Sequence, residues 1–270
     1  MIDFFAVTRN EVKNMLIQIL LILVGFVLLI KGADLLVDGS SAIAKKLRIS
    51  EIVIGLTIVS IGTSMPELFV STTSAIQGAA DISIGNIIGS NICNLLLILG
   101  ISAVIHPVEF QKQTKWIENP MSIILTAIFL IICNTNQEVG RIEGIILILL
   151  FIGFLVYTII MGRKSQDEVI LEISLEEVKK INVFKSIMLI ILGIVALKIG
   201  GDLVVENAKL VATALNVSEK IIGLTIVAIG TSLPELVTSV TAAIKGESDI
   251  AIGNIIGSNI FNMLLIIGVT

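Results

Sequence analysis

The sequence predicts an all-α polytopic membrane protein with two inverted-topology repeats of five helices, the second of them truncated. Three observations support this fold class: the composition, a duplicated segment, and an odd number of apolar spans between the two copies. The chain has 270 residues, of which 55% are hydrophobic and 15% are charged, and its mean hydropathy is +1.04. Because soluble domains carry roughly 25% charged residues, this composition excludes an ordinary soluble domain. The sequence also has no basic stripe that would indicate a nucleic-acid partner.

Eight segments are long and apolar enough to cross a bilayer, which takes roughly 20 residues for a helix. They are residues 15–43, 50–77, 82–105, 119–134, 140–161, 183–211, 219–245 and 250–270. The charged stretch 163–182 separates the fifth span from the sixth and is typical of a solvated loop. The chain therefore divides into a first half at 15–162, a loop at 163–182 and a second half at 183–270.

A segment of the first half recurs almost unchanged in the second half. Residues 55–100 correspond to residues 223–268 at a constant offset of 168, and the motifs GTSMPE and GSNICN return as GTSLPE and GSNIFN. Five spans separate the copies, so the second copy enters the membrane from the opposite side and the two polar motifs face each other near the centre. Two spans follow the first copy, whereas the sequence ends just after the second. We therefore expect a truncated second repeat, or one whose missing helices another chain supplies.

Positive charge predicts the orientation, because loops rich in lysine and arginine remain cytoplasmic. Eleven lysine and arginine residues fall on the side that holds the 163–182 loop, and five fall on the other side. The loop is therefore predicted to be cytoplasmic and the N-terminus to lie outside the cell membrane.

Each polar motif places a glutamate next to a helix-breaking proline inside an apolar span. Pro66 has no backbone N–H, so the carbonyl of Gly62 loses its helical partner. Thr63 and Glu67 are four residues apart and share one helix face. The second copy repeats the pattern with Thr231 and Glu235. A charged side chain at the bilayer centre costs about 2.5–3.5 kcal/mol, and two facing carboxylates repel each other, so the sequence predicts that a cation or a proton neutralises them.

The spans that follow the two glutamates add several hydroxyl and amide groups. Hard oxygen ligands of this kind suit Ca²⁺ or Na⁺, whereas zinc and copper prefer imidazole and thiolate. The lone His106 and the two cysteines, Cys93 and Cys133, are separated in the sequence and predict neither a metal centre nor a disulfide. Asp34 and Asp202 lie near span ends and are expected to snorkel or to cap helices. For four asparagines the sequence leaves packing and function equally open: Asn86, Asn91, Asn254 and Asn259.

At these motifs the sequence resembles the cation/calcium antiporter superfamily, and within it the prokaryotic sodium/calcium exchanger branch. The resemblance implies ten helices in two inverted halves, with the first and sixth helices sliding across a core bundle. It also implies a set of ion ligands. These are the central carboxylates of Glu67 and Glu235, oxygens of Thr63 and Thr231, the sodium ligands Ser64, Ser232, Ser90 and Ser258, backbone carbonyls of Ser60 and Ala228, and the flanking pair Asn94 and Asn262. Archaeal and potassium-dependent relatives carry Asp at one position of that pair. Amides at both positions resemble the potassium-independent animal exchangers and so argue against potassium cotransport.

The resulting functional hypothesis is a secondary antiporter, and not an enzyme, that exchanges Na⁺ for Ca²⁺ by alternating access and needs no cofactor. The lipid bilayer and the two ions are its predicted partners, and no oligomeric state is predicted. Three alternatives stay open. The same scaffold could exchange Ca²⁺ or another cation for protons, because protons also neutralise a buried glutamate pair. The others are a channel, and a chain that is active only with a complementary fragment.

Overall fold

In a computed structural model of the chain, residues 9–107, 114–135, 139–164, 181–218 and 228–270 are described. These residues are almost entirely helical and contain no strand. The helices are α1 (Arg9–Leu47), α2 (Glu51–Thr63), α3 (Met65–Ile76), α4 (Ala80–Ile105), α5 (Thr114–Asn134), α6 (Arg141–Lys164), α7 (Val183–Ala214), α8 (Ala228–Thr231), α9 (Leu233–Ile244) and α10 (Ser248–Val269).

Within the described part of the chain, six helices are long and apolar enough to span a membrane, and the bent α2–α3 pair adds a seventh. They coincide with seven of the eight predicted spans. The remaining predicted span, 219–245, contains α8 and α9, and its residues 219–227 lie outside the described residues. So does most of the predicted loop at 163–182.

The fourth span begins earlier than the sequence predicted. Its first five residues, Thr114–Glu118, form a π-helical turn that continues directly into the predicted segment 119–134. Glu118 is charged, but its side chain is buried and its Oε1 accepts a hydrogen bond of 3.3 Å from the Tyr157 hydroxyl. A polar partner on α6 therefore allows the helix to extend beyond the apolar stretch.

The helix breaks that the two prolines predict are both present. Helices α2 and α3 are bent by 48° at Ser64, whose φ and ψ angles are −82° and 11°. Ser232 takes the equivalent position between α8 and α9 with angles of −87° and 6°. Pro66 and Pro234 stand in the first turn of the helix after each break, where a missing N–H costs nothing. The sequence thus places each glutamate in the first turn of a half-helix.

Helices α1 and α7 cross through two pairs of glycines that let their backbones touch. A Cβ atom on Gly32 would lie 2.9 Å from the Gly193 carbonyl oxygen, and one on Gly25 would lie 2.8 Å from that of Gly200. Because the repeat offset is 168, Gly25 corresponds to Gly193 and Gly32 to Gly200. The repeat therefore maps the Gly25–Gly200 contact onto the Gly32–Gly193 contact, as a pseudo-two-fold axis between the halves requires.

Helix α10 lies at the centre of the described helices. Its span is 94% buried, whereas the span of its repeat partner α4 is 28% buried. Gly253 and Gly257 bring α10 against α2, and Gly268 brings it against Gly144 of α6. Small residues at these positions let helices approach closely where no hydrophobic effect drives them together.

Ion pairs join α1 to neighbouring helix ends. Lys245, just after α9, lies 3.2 Å from Asp34 and 2.7 Å from Asp38. Asp34 therefore forms an ion pair, in addition to the snorkelling or capping role that the sequence predicted. Burial lowers the pKa of Lys245, but its hydrogen bonds to the two carboxylates outweigh that effect and raise the pKa above 10.5. Asp202 instead contacts Lys198 on its own helix, at 2.7 Å.

Candidate ion-binding site

The two repeated glutamates lie in the interior and contact each other's motif. Glu67 is 1% exposed and Glu235 is 0% exposed. Ser64 Oγ donates a 2.7 Å hydrogen bond to Glu235 Oε1, and Ser232 Oγ lies 3.5 Å from Glu67 Oε1. Each serine precedes the glutamate of its own motif by three residues, yet it contacts the carboxylate of the opposite repeat. The crossed contacts bring both carboxylates to one place, as the inverted repeat predicts.

Several acceptor atoms around the carboxylates have no hydrogen-bond partner within the described residues. They are Glu67 Oε2, Glu235 Oε2, Asn94 Oδ1 and Asn262 Oδ1. A buried polar atom without a partner costs free energy, so such atoms normally meet a donor, a water or an ion. Carboxylate and amide acceptors cannot satisfy one another. The set is therefore suited to a cation or to protons.

The serines on α4 and α10 occupy equivalent positions near the carboxylates. Ser90 is buried and its Oγ lies 3.4 Å from Glu67 Oε1. Ser258 is buried on α10 one residue after Gly257, which packs against Ser60. Both lie just before π-helical segments, Cys93–Ile98 and Phe261–Ile266, and such segments are frequent at functional sites.

The threonines of the two motifs are also buried, and each contacts an asparagine of the opposite repeat. Thr63 Oγ1 lies 3.0 Å from Asn254 Oδ1, and Thr231 Oγ1 lies 3.4 Å from Asn86 Oδ1. Asn86 and Asn254 therefore each contact a predicted ion ligand. The sequence alone had left open whether these two asparagines serve packing or function.

The structure describes the two predicted backbone ligands, Ser60 and Ala228, in less detail than the side-chain ligands. The Ser60 carbonyl already accepts a hydrogen bond from the Ser64 N–H at 3.0 Å, and the Thr63 hydroxyl lies 3.3 Å from it. This carbonyl is therefore already engaged in a backbone hydrogen bond. Ala228 begins α8, and its side chain lies outside the described part of the structure.

Four asparagines join α4 to α10 in a symmetric arrangement. Asn94 Nδ2 donates to Asn259 Oδ1, and Asn262 Nδ2 donates to Asn91 Oδ1, each at 3.0 Å. The side chains of Asn91 and Asn259 also donate to each other's backbone carbonyls, at 3.2 and 3.4 Å. Asn91 and Asn259 thus hold helices together, while Asn94 and Asn262 keep their unpartnered oxygens.

Two serines that the sequence analysis did not single out belong to the same network. Ser71 and Ser239 are fully buried, and their hydroxyls accept hydrogen bonds from Asn86 Nδ2 at 3.1 Å and Asn254 Nδ2 at 2.9 Å. Each serine stands four residues after a repeated glutamate. Their recurrence at the 168-residue offset was a signal that the sequence contained.

The donor set has the chemistry of a hard-cation site. No group of three or more His, Cys, Asp or Glu side chains that could hold a metal ion occurs in the described residues. The centre instead combines two carboxylates with neutral hydroxyl and amide oxygens, which are the ligands that Ca²⁺ takes in proteins.

Comparison with known proteins gives the same assignment. The family model described as "Sodium/calcium exchanger protein" matches residues 17–160 and 185–270. The putative antiporter CaxA of Alkalimonas amylolytica is 41% identical over 257 residues, covering 94% of this chain and 80% of that protein. Sodium/calcium exchanger MaX1 of Methanosarcina acetivorans is 34% identical over 288 residues, covering 94% of this chain and 82% of that protein.

A solved structure has the same fold. It is the sodium-calcium exchanger NCX_Mj soaked with Na⁺ and Ca²⁺, which matches with a TM-score of 0.80 at 37% identity and covers 93% of this chain and 81% of that one. The match confirms the predicted all-α fold with inverted repeats. The crossed carboxylates, the fold and these relatives together show that the chain is a multi-pass membrane antiporter that belongs to the sodium/calcium exchanger family.

Proposed function

We propose that this protein exchanges Na⁺ for Ca²⁺ across the membrane and binds both ions between Glu67 and Glu235. One observation carries the proposal: the buried carboxylates of the two repeated motifs each contact a serine of the opposite motif and each keep an oxygen without a hydrogen-bond partner among the described residues. Relatives named as sodium/calcium exchangers support the choice of ions.

The charges make the two ions competitors for one site. A single Ca²⁺ neutralises both carboxylates, while Na⁺ ions neutralise them one at a time and use more of the neutral oxygens. Because both ions need the same two carboxylates, occupancy by one excludes the other, and this exclusion couples the two fluxes. The proposed ligand set is Glu67, Glu235, Thr63, Thr231, Ser64, Ser232, Ser90, Ser258, Asn94 and Asn262, with backbone carbonyls of Ser60 and Ala228 added in a conformation that releases them.

Alternating access would come from α1 and α7 moving together across the remaining helices. Their glycine contacts join the two backbones closely, which supports motion as one unit. The glutamates lie on α3 and α9, outside this pair. In the proposed arrangement, residues 15–162 and 183–270 form the two halves, the 163–182 loop is cytoplasmic, and the N-terminus lies outside the cell membrane.

The direct test is transport by the purified protein in lipid vesicles. Vesicles loaded with Na⁺ and diluted into Na⁺-free buffer are expected to accumulate radiolabelled Ca²⁺, and uptake should saturate with Ca²⁺ concentration. Vesicles loaded with choline serve as the control. Absence of a difference between the two would refute sodium coupling.

Proton coupling is the second candidate, because the unpartnered carboxylate oxygens could equally take protons. Calcium uptake driven by a pH gradient in Na⁺-free vesicles would favour it. A calcium flux that needs no counter-ion gradient and does not saturate would instead indicate a channel. The hydroxyl groups around the carboxylates favour sodium, since they add neutral oxygen ligands that a proton does not need.

Potassium is expected to have no effect on the exchange. Asn94 and Asn262 are both neutral amides, so the site has two negative charges and not three. Replacing K⁺ by choline on both sides of the vesicle should leave sodium-driven Ca²⁺ uptake unchanged within error. A strict potassium requirement would contradict this charge count.

A further inference from the structure

A hydrogen-bonded chain beside the proposed ion site joins a threonine of one repeat to the helix that carries the glutamate of the other. Thr63 Oγ1 lies 3.0 Å from Asn254 Oδ1, and Asn254 Nδ2 donates to Ser239 Oγ at 2.9 Å. Asn254 Nδ2 also lies 3.4 Å from the backbone carbonyl oxygen of Glu235. All four residues are buried, with Thr63, Asn254 and Ser239 fully inaccessible.

The partners of Asn254 determine which way its amide points. A backbone carbonyl can only accept, so the atom that faces the Glu235 carbonyl must be the amide nitrogen. The amide oxygen therefore faces Thr63, and Thr63 must donate its proton. The Ser60 carbonyl oxygen at 3.3 Å and the Glu235 carboxylate also lie near the Thr63 hydroxyl, and both are acceptors. With its single proton directed to these acceptors, the Thr63 hydroxyl keeps its lone pairs for a cation.

The repeat contains a second and looser version of this chain. Thr231 Oγ1 lies 3.4 Å from Asn86 Oδ1, and Asn86 Nδ2 donates to Ser71 Oγ at 3.1 Å. Asn86 is only partly buried, in contrast to Asn254. The longer bond and the greater exposure predict a weaker constraint on Thr231 than on Thr63.

We infer that Asn254 is a positioning residue for ion binding. By accepting a hydrogen bond from the Thr63 hydroxyl, it orients that hydroxyl so that its oxygen faces the ion. Asn86 has the same role for Thr231, with a smaller effect. The inference rests on the proposed function, because it gives a purpose to the threonine oxygens within that site. It also gives a role to two asparagines that have no unpartnered atom of their own.

A double-mutant cycle in sodium-driven Ca²⁺ uptake tests the inference. Asn254→Leu removes the acceptor at similar side-chain size, and Thr63→Val removes the hydroxyl. Each single variant is expected to raise the KM for Ca²⁺ about tenfold, with the maximal rate per folded protein changed less than about twofold. The double variant should have the KM of Thr63→Val alone, because Asn254 acts only through that hydroxyl. The symmetry-related variant Asn86→Leu is the matched comparison and should raise the KM about threefold.

Multiplied effects in the double variant, or an unchanged KM in Asn254→Leu, would overturn the inference. If Asn254→Leu does not fold, Ser239→Ala takes its place in the cycle, because it releases the amide nitrogen without changing the amide. That variant is expected to raise the KM about two- to threefold, and only when Thr63 is present. Failure of the proposed function would look different, since the unmodified protein itself would then show no sodium-driven uptake.

Discussion

Replacing Glu67 or Glu235 with glutamine is expected to abolish sodium-driven Ca²⁺ uptake. Either change leaves one negative charge for a divalent ion and inserts an amide N–H₂ donor among acceptor atoms. The loss of one charged ligand should weaken Ca²⁺ binding at least about 100-fold, since hydrogen bonds and ion contacts to charged groups contribute on the order of 3 kcal/mol. Uptake rates at fixed Ca²⁺ and equal amounts of reconstituted protein measure the effect.

The same variants should separate binding from folding. Calcium binds the folded protein, so it is expected to raise the melting temperature of the unmodified protein. Neither glutamine variant should show this rise. In the absence of ions, both variants should melt at or above the temperature of the unmodified protein, because a buried carboxylate oxygen without a partner is destabilising.

A matched control is available in the same membrane protein. Glu118 is as buried as Glu67 but lies on α5 and contacts Tyr157, outside the proposed site. Glu118→Gln should therefore keep both the uptake and the calcium-dependent rise in melting temperature. Normal transport by Glu67→Gln, or equal losses in all three glutamine variants, would contradict the assignment of the site.

Sequence reasoning succeeded where covalent chemistry or the repeat itself determined the structure. Pro66 and Pro234 cannot donate a backbone hydrogen bond to the preceding turn, so both helix breaks were predictable from the sequence. The meeting of the two motifs followed from the odd number of spans between Glu67 and Glu235. The early start of α5 was not predictable, because it depends on Tyr157 contacting Glu118 from a different helix.

Residue spacing could not assign the roles of the asparagines for a different reason, and only the family resemblance named Asn94 and Asn262 as ligands. Asn91 and Asn94 stand on one helix three residues apart, and their amides have identical chemistry. The structure distinguishes them by their partners: both ends of the Asn91 amide are hydrogen-bonded, whereas Asn94 keeps an unpartnered oxygen. Such a difference depends on what lies opposite each side chain, which no spacing within one helix determines.

Burial shows the same dependence on neighbours. The segments Ala80–Ile105 and Ser248–Val269 are nearly the same in sequence, yet 28% of one span and 94% of the other are buried. Helices α2 and α6 cover α10 through glycine contacts at Gly253, Gly257 and Gly268. The amino-acid pattern specifies a helix that can be packed closely, and the surrounding helices decide how much of it is covered.

Replacing Gly257 with alanine is expected to separate α2 from α10 and to disrupt the site between them. A Cβ atom there would lie 2.6 Å from Ser60 Oγ, 2.7 Å from the Leu56 carbonyl oxygen and 2.8 Å from Leu56 Cα. Two of these atoms are backbone and cannot rotate away, so the helices must move apart. Overpacking of this kind costs about 1–3 kcal/mol, and we expect the upper end. Ser258 would move with α10, and Ca²⁺ uptake should fall with stability.

Gly153 is the control for this substitution, because the same change should have the opposite effect there. It lies on an exposed part of α6, and a Cβ atom would meet no described atom within 4 Å. Alanine at this position should stabilise the helix by about 0.5–1 kcal/mol, since glycine is a poor helix former. Melting temperatures in detergent, measured with uptake in vesicles, should fall for Gly257→Ala and stay equal or rise for Gly153→Ala. Equal melting temperatures for the two variants would mean that α2 and α10 are not in backbone contact at Gly257, and the proposed position of Ser258 beside the carboxylates would lose its structural basis.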